Sequence, residues 1–503
     1  MDMLYYITII LALIIIISSR IKNSIIRGLG YIMLIIIPLY SIIVGSPWDF
    51  TSSSLAILAA IIGFSASMYT NGYEDLKYGG GYLHIIIDIF AVAVYLTFTA
   101  LNVITFIVCW LIAEIIGFFT IVYEIERKTL TAGLRYIAVS MIPSDMALMT
   151  LLASLSMKKP VTDALLTPIN DITNALGELP PIISIIIVLG FIAKAAVIPL
   201  HFWLPDAHSL APAPASSILS GIMVKMGIYG IIRLLPSIDP IYTPYIFIFF
   251  GALTGIYGGF LALTQMDIKR ILAYSTIEHT GLIILALMLY RVSGLALFFT
   301  AALTIIYSHA LYKAALFLNS GSIEIYSHTR EISKLGYLAR TIPSAAFSAL
   351  LSILSLIGIP PTMGFIAKLN LLMSIITYLV LSPAIGAILI ALVAIAIALA
   401  AIYSLRYATV YWGTWRGGGA EKSADIVVEL SRKVTIWEYI PAGLGIIGTP
   451  LIATIIWGLD ILKPELLAPL ILAIALFIPL LYYIYIRLKT ASRDMQWLGG
   501  AVP

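Results

Sequence analysis

Cysteine is almost missing: Cys109 is the single one in 503 residues. That excludes a disulfide framework, a Cys-ligated iron–sulfur cluster and any CxxC redox site. Charge is scarce as well. Asp, Glu, Lys and Arg make up 11% of the residues, against about a quarter in a soluble domain. A surface so poor in charge does not face water. Strict apolar/polar alternation, the mark of an outer-membrane barrel, is also lacking. The first apolar run has no basic flank before it and no A-x-A site after it, so it reads as a retained helix and not a signal peptide. No motif for a cofactor or for nucleic acid stands out. Charged tails and low-complexity linkers are missing too, apart from a Gly417-Gly418-Gly419 loop.

What the chain does have is apolar residues, 61% of the total, with a mean hydropathy of +1.05. Runs long enough for spanning helices of roughly 20 residues recur along it, and helices satisfy their own backbone hydrogen bonds where lipid cannot. The expected fold is an all-α polytopic membrane protein of about 14–15 transmembrane helices. Spans are placed at 4–18, 26–44, 53–70, 84–101, 102–123, 130–155, 181–199, 213–235, 242–264, 271–290, 295–319, 343–379, 383–405, 437–457 and 466–486. The twelfth is too long for one straight crossing. Its centre reads Gly358-Ile359-Pro360-Pro361, and consecutive prolines break a helix. Pro199 and Pro205 give the seventh span a similar fault.

Lys and Arg test this count. Of the 29, twenty fall in loops after odd-numbered spans, in the span ends that border those loops, or in the C-terminal tail. Five (Lys158, Lys159, Arg233, Arg291 and Lys463) fall in loops after even-numbered ones or in the span ends that border them. This asymmetry predicts a multi-pass cell-membrane protein with odd-numbered loops cytoplasmic and the N-terminus outside. The pentapeptide GFIAK occurs at 190–194 and again at 364–368. Each copy puts a lysine beside a proline break, five spans apart, as in a five-helix unit repeated with inverted topology. The organisation expected is N-terminal helices over 1–83, one repeat over 84–235, a second over 241–410, and a C-terminal loop with further helices over 411–503.

The other four basic residues, Lys194, Lys225, Lys313 and Lys368, lie within spans, as do Asp88, Glu114, Asp145, Glu278, His279 and His309. A charge near the bilayer centre costs about 2.5–3.5 kcal/mol, so four unpaired lysines would cost on the order of 10 kcal/mol. Any one of these groups alone, Asp88 or Asp145 for instance, could be a satisfied core polar residue. The set is harder to explain that way. Desolvation lets a buried lysine lose its proton near neutral pH, and a nearby carboxylate opposes that loss. A lysine whose acidic partner moves therefore loads and releases a proton. Glu114 and Lys194 are the expected pair, with Lys225, His309, Lys313 and Lys368 continuing a hydrated chain. Freed carbonyls at Pro199, Pro360 and Pro361 would bind water along it.

Four stretches now carry a resemblance: GFIAKAAVIPLHFWLPDAHSLAPAPASSILSGIMVKMGIYGIIRL (190–234), ALTQMDIKRILAYSTIEHTGLI (262–283), YSHALYKAALFLNSGSI (307–323) and LSLIGIPPTMGFIAKLNLL (354–372). They resemble the antiporter-like subunits shared by complex I, Mrp-type cation/proton antiporters and membrane-bound group 4 [NiFe] hydrogenases. The segment ALNVITFIVCWLIAE (100–114) is similar to that family's glutamate-bearing helix. The resemblance covers about residues 50 to 410. It implies fourteen helices with two inverted five-helix repeats, each holding a broken helix.

It also implies a role for each residue. Glu114 pairs with Lys194, Lys225 belongs to the connecting path, His309 and Lys313 form the HxxxK of a bridging helix, and Lys368 is the lysine of the second broken helix. The implied partners are other membrane subunits and a peripheral hydrogenase or dehydrogenase arm, with H⁺ or Na⁺ as the ion. The chain itself would carry out no redox catalysis and hold no cofactor. Two departures stand out. Ala113 replaces the usual Trp. Glu278-His279 stands where complex I relatives usually have uncharged residues, which resembles hydrogenase-linked members. Glu278, His279 and Asp145 are accessory candidates, although the Glu278-His279 pair could simply be satisfied against a neighbouring helix. An Mrp-type Na⁺/H⁺ antiporter subunit without a redox partner remains the alternative, and a non-conducting membrane anchor a third reading. His201, Asp206 and His208 are too weakly spaced to be taken as a metal set.

Overall fold

A computed structural model describes residues 2–45, 47–413, 430 and 432–449. Among these, eleven helices are long and apolar enough to cross a membrane, and three shorter apolar ones accompany them. Together with a further helix of 9 residues, Tyr439–Ile447, they are numbered α1 Asp2–Arg20, α2 Ser24–Val44, α3 Phe50–Tyr78, α4 Leu83–Phe98, α5 Val103–Ile121, α6 Arg127–Ser156, α7 Pro181–Lys194, α8 Ala213–Ser237, α9 Thr243–Thr264, α10 Ile268–Ser293, α11 Ala296–Ser327, α12 Pro343–Ile357, α13 Met363–Leu381, α14 Pro383–Trp412 and α15 Tyr439–Ile447. Each of the first thirteen expected spans coincides with one of these helices, or with the pair α12–α13. α15 lies in the fourteenth, and the fifteenth span falls outside the described residues. The chain is a polytopic, all-helical membrane protein.

Both proline breaks are present. The first separates α7 from a short helix, Leu204–Leu210. The second separates α12 from α13, and Gly358 caps α12 in the left-handed region at φ +86. Past this break the chain must pack against itself closely. A Cβ on Gly364 would sit 1.7 Å from the Ser355 carbonyl oxygen, so only glycine fits there. α11 runs through the centre, with every residue of its most apolar stretch buried. α14 is apolar all round and only 28% buried in its corresponding stretch, as a lipid-facing helix should be.

One local pattern occurs twice. Asn102 caps α5, and the backbone around it pairs with residues following α6, through Val103 N–H to Thr167 O and Ile169 N–H to Leu101 O. Asp267 caps α10 in the same way, through Ile268 N–H to Arg330 O and Ile332 N–H to Met266 O. The two copies stand five helices apart.

Asp88 turns out to be a packing element. It sits on α4, fully buried, 3.4 Å from the equally buried Arg27 of α2, and accepts a 2.8 Å hydrogen bond from Tyr31. Hydropathy hides Arg27 because it lies one turn inside an otherwise apolar helix. Breaking a buried pair from one side costs more than the pair is worth, because it strands a charge. Arg27→Met should therefore destabilise the protein by about 3–5 kcal/mol, and Arg27→Met/Asp88→Asn should recover much of that loss. Thermal unfolding of the purified variants measures both.

Candidate functional site

The site begins at the first break. Lys194 is the last residue of α7, and its Nζ lies 2.9 Å from Glu114 Oε1 on α5, with both side chains fully buried. Ser144 Oγ donates to the same carboxylate oxygen at 2.6 Å. Lys194 also donates to the Tyr136 hydroxyl at 2.8 Å, and that hydroxyl donates to the Glu114 carbonyl at 3.3 Å. The second carboxylate oxygen of Glu114 has no hydrogen-bond partner among the described residues. Asp145, half-buried, stands within electrostatic reach of both members of the pair.

Two π-helical segments shape this region. Ile137–Met141 interrupts α6 between Tyr136 and Ser144. Pro143 explains it, since proline has no N–H to return to the turn before it. Leu219–Met223 interrupts α8 just before Lys225, and Lys225 Nζ donates to the Ser220 carbonyl at 2.6 Å. Such segments widen a helix and often mark functional positions.

From there the polar groups continue across the middle of the molecule. Lys225 Nζ lies 2.6 Å from His309 Nδ1, and the His309 and His279 rings are 5.3 Å apart. Lys313 donates to the Leu272 carbonyl at 3.0 Å and to the Ser275 hydroxyl. Beyond His279, a cavity of about 10 Å³ is lined by His279, Ser308, Tyr312, Ser355 and Lys368, roughly the room one water needs. Lys368 donates to the carbonyls of Leu356 and Ile357 at 2.8 and 2.7 Å, which end α12 at the second break. Neither oxygen of Glu278 has a hydrogen-bond partner among the described residues, although it is fully buried within electrostatic reach of Lys313 and Lys368.

Four features of this geometry were not read from the sequence. The two GFIAK lysines do not share a setting. Lys194 stands before its break, because Pro199 follows it, and Lys368 stands after its own, because Pro360 and Pro361 precede it. Lys269, counted among the loop residues, is buried in the first turn of α10 and donates to the Ala211 carbonyl at 2.8 Å; the helix begins three residues before the expected span. Asp206 forms ion pairs with Arg135 and Arg270, while His208 is buried against Phe317 with neither ring nitrogen bonded among the described residues. Tyr136 and Ser144, which hold the central pair, were not singled out from sequence. Their only local signal is spacing, eight residues apart on one face of α6.

A family model described as "NADH:quinone oxidoreductase/Mrp antiporter, TM" matches residues 100–397, well over half of the chain. The chain belongs to this family. Residues 100–397 include every member of the buried chain from Glu114 to Lys368. Among curated relatives, Hydrogenase-4 component B of Escherichia coli (strain K12) is 30% identical over 327 residues, covering 62% of this chain and 48% of that protein. A Na(+)/H(+) antiporter subunit of Alkalihalophilus pseudofirmus is 28% identical over 380 residues, 73% of each. The chain spans about half the length of most of the curated relatives it matches. A chain of the Mrp complex from Dietzia sp. DQ12-45-1b shares the fold, with a TM-score of 0.71 at 18% identity over 88% of this chain and 93% of that one.

The family's antiporter-like fold brings Glu114 and Lys194 into contact, and contact makes them energetically dependent. Removing either charge strands the other in a buried site, so each single substitution should be costly and the double one less than additive. A double-mutant cycle of Glu114→Gln and Lys194→Met should return a coupling energy of about 1–3 kcal/mol in thermal stability. Strict additivity would mean that the two side chains do not touch.

Proposed function

We propose that this chain translocates ions, in the first instance protons, as the antiporter-like subunit of a redox-driven membrane complex of the hydrogenase or complex I-like kind. The Glu114–Lys194 ion pair carries this reading: a fully buried charge pair at a helix break. A buried lysine held, among the described residues, by one carboxylate and one hydroxyl at the end of a helix can be loaded or discharged by a small movement of either partner. Lys225 and His309 then receive the proton, His279 and Lys313 extend the path, and Lys368 delivers it at the second break. Glu278 and Asp145 tune the charge on either side. The repeated capping pattern at Asn102 and Asp267 supports two five-helix units over 84–235 and 241–410. The asymmetry of Lys and Arg supports an N-terminus outside and cytoplasmic odd-numbered loops.

The partners implied are further membrane subunits and a peripheral hydrogenase or dehydrogenase arm. The similarity to Hydrogenase-4 component B, together with Glu278-His279, favours the hydrogenase kind. The second reading is an Mrp-type Na⁺/H⁺ antiporter subunit without a redox partner, favoured by the fuller coverage of the antiporter relative.

Lys194→Ala should leave assembly intact and abolish ion pumping, measured as driven pH change in membrane vesicles. Normal pumping by an assembled variant would sink the proposal.

Lys368 supports a sharper test, because its bonds to the Leu356 and Ile357 carbonyls also suit a fixed charge at a helix C-terminus. Arginine could replace a fixed charge, but it stays protonated and cannot cycle. Lys368→Arg should therefore pump as poorly as Lys368→Ala, while Lys368→Glu keeps part of the activity. An arginine variant that pumps normally would make Lys368 an electrostatic anchor.

A further inference from the structure

α14 carries a feature that the path above does not use. Tyr403, Tyr407 and Tyr411 recur at every fourth position on this otherwise apolar helix, and all three are buried to within 1% exposure. Core aromatics are common, but these hydroxyls are placed among polar groups. Tyr411 and Tyr407 donate to Asn319 Oδ1 at 2.8 and 3.2 Å. At the other end of the ladder, Tyr403 stands beside Glu278. Its hydroxyl faces Glu278 and Ser275 closely enough to interact with both, yet neither that hydroxyl nor either Glu278 oxygen closes a hydrogen bond of standard length among the described residues.

Asn319 joins the ladder to a second buried acid. Its Nδ2 donates to Glu438 Oε2 at 2.9 Å and to the Ala345 carbonyl at 2.9 Å, and Ser322 donates to Glu438 Oε1. Glu438 is fully buried just before α15. The groups around it are neutral: Asn319 and Ser322 of α11, Ser348 of α12, Tyr69 of α3, and Tyr407 and Tyr411 of α14. Among the described residues no cation pairs with it. A carboxylate with no counter-charge in a buried site is costly, and a group that takes up a proton there relieves that cost.

We propose that Glu438 is a second proton-loading carboxyl, joined to Glu278 by the Tyr403–Tyr407–Tyr411 ladder. This rests on the translocation reading above and adds an entrance on the side where α11 ends and α15 begins. Glu438 is fully buried, so the one proton it takes up reaches it from that face through water that penetrates transiently. Each tyrosine oxygen in turn accepts a proton and releases its own, so only the two carboxyls change protonation. Successive tyrosines four residues apart are offset by about 6 Å along the helix, a gap the transfer needs one water to bridge. Glu438 bonds to Asn319 and Ser322 and not to a tyrosine, so the step from Glu438 to Tyr411 needs a water as well. Asn319 is a positioning residue: one amide holds the carboxylate on its nitrogen and two hydroxyls on its oxygen.

The test uses the full chain in its native complex, in membrane vesicles. Glu438→Gln preserves the hydrogen bonds, since its amide can donate to Ser322 and accept from Asn319, but it cannot carry a proton. Assembly and thermal midpoint should match wild type, while ion transport falls about a hundredfold. Tyr403→Phe, which removes one oxygen from the other end, should give the same loss. The infrared band of a protonated carboxyl that responds to transport should disappear in Glu438→Gln. Transport at the wild-type rate in either variant, an unchanged band, or a loss of transport that only follows a loss of stability would overturn the proposal. Lys194→Ala separates the two levels. If Lys194→Ala abolishes transport while Glu438→Gln transports normally, this inference alone falls. If Lys194→Ala transports like wild type, the translocation reading falls and takes this inference with it.

Discussion

Lipid makes an uncompensated charge expensive, and the arrangement of this protein follows from how its charges escape that cost. The Glu114–Lys194 pair is the central case. Its ions are fully buried and hydrogen-bonded by Ser144 and Tyr136, and the pair sits where α7 stops being a helix. Mutual attraction offsets desolvation only while the geometry holds. A pair of this kind next to a break in a helix is therefore both an anchor and a point that a small movement can unsettle. α11 and α10, almost wholly buried, supply the next groups inward.

The buried charges divide by what surrounds them. Arg27 and Asp88 meet between α2 and α4, which both run on past them as helices, and a tyrosine closes the pair. Glu114, Lys194, Lys225 and Lys368 each adjoin a helix end or a π-helical segment. Those irregular stretches expose carbonyls that regular helices keep to themselves, and such carbonyls can hold a lysine or a water. Lys225 on the Ser220 carbonyl and Lys368 on the Leu356 and Ile357 carbonyls are held in this way. Irregular backbone thus accompanies these four charges, whereas the Arg27–Asp88 pair joins two regular helices and His279, His309 and Lys313 lie within regular ones.

Much of this was legible in the amino-acid order. Hydropathy, proline pairs and the family motifs located thirteen spans, both breaks and the four lysines Lys194, Lys225, Lys313 and Lys368, because these are local signals of composition and spacing. Helix ends were less legible. A hydropathy window cannot see that the α10 cap lies at Asp267, which draws Lys269 into the interior. The matching GFIAK copies suggested equal settings for their lysines, but a pentapeptide does not record on which side of it the chain breaks.

The sequence by itself therefore determined that the chain crosses the membrane many times, where it does so, that it belongs to the antiporter-like family, and most of the titratable residues that lie at depth, Arg27 and Lys269 among the exceptions. Only the tertiary structure decided which of those residues meet. Asp88 and Glu114 look alike in sequence, each a lone acid in an apolar run, yet one faces Arg27 from 61 positions away and the other Lys194 from 80. Glu438 and Asn319 touch across 119 positions. Hydropathy and helical periodicity act over a few turns of chain, whereas a partner for a buried charge is chosen by how whole helices pack, and no short stretch of sequence encodes that choice.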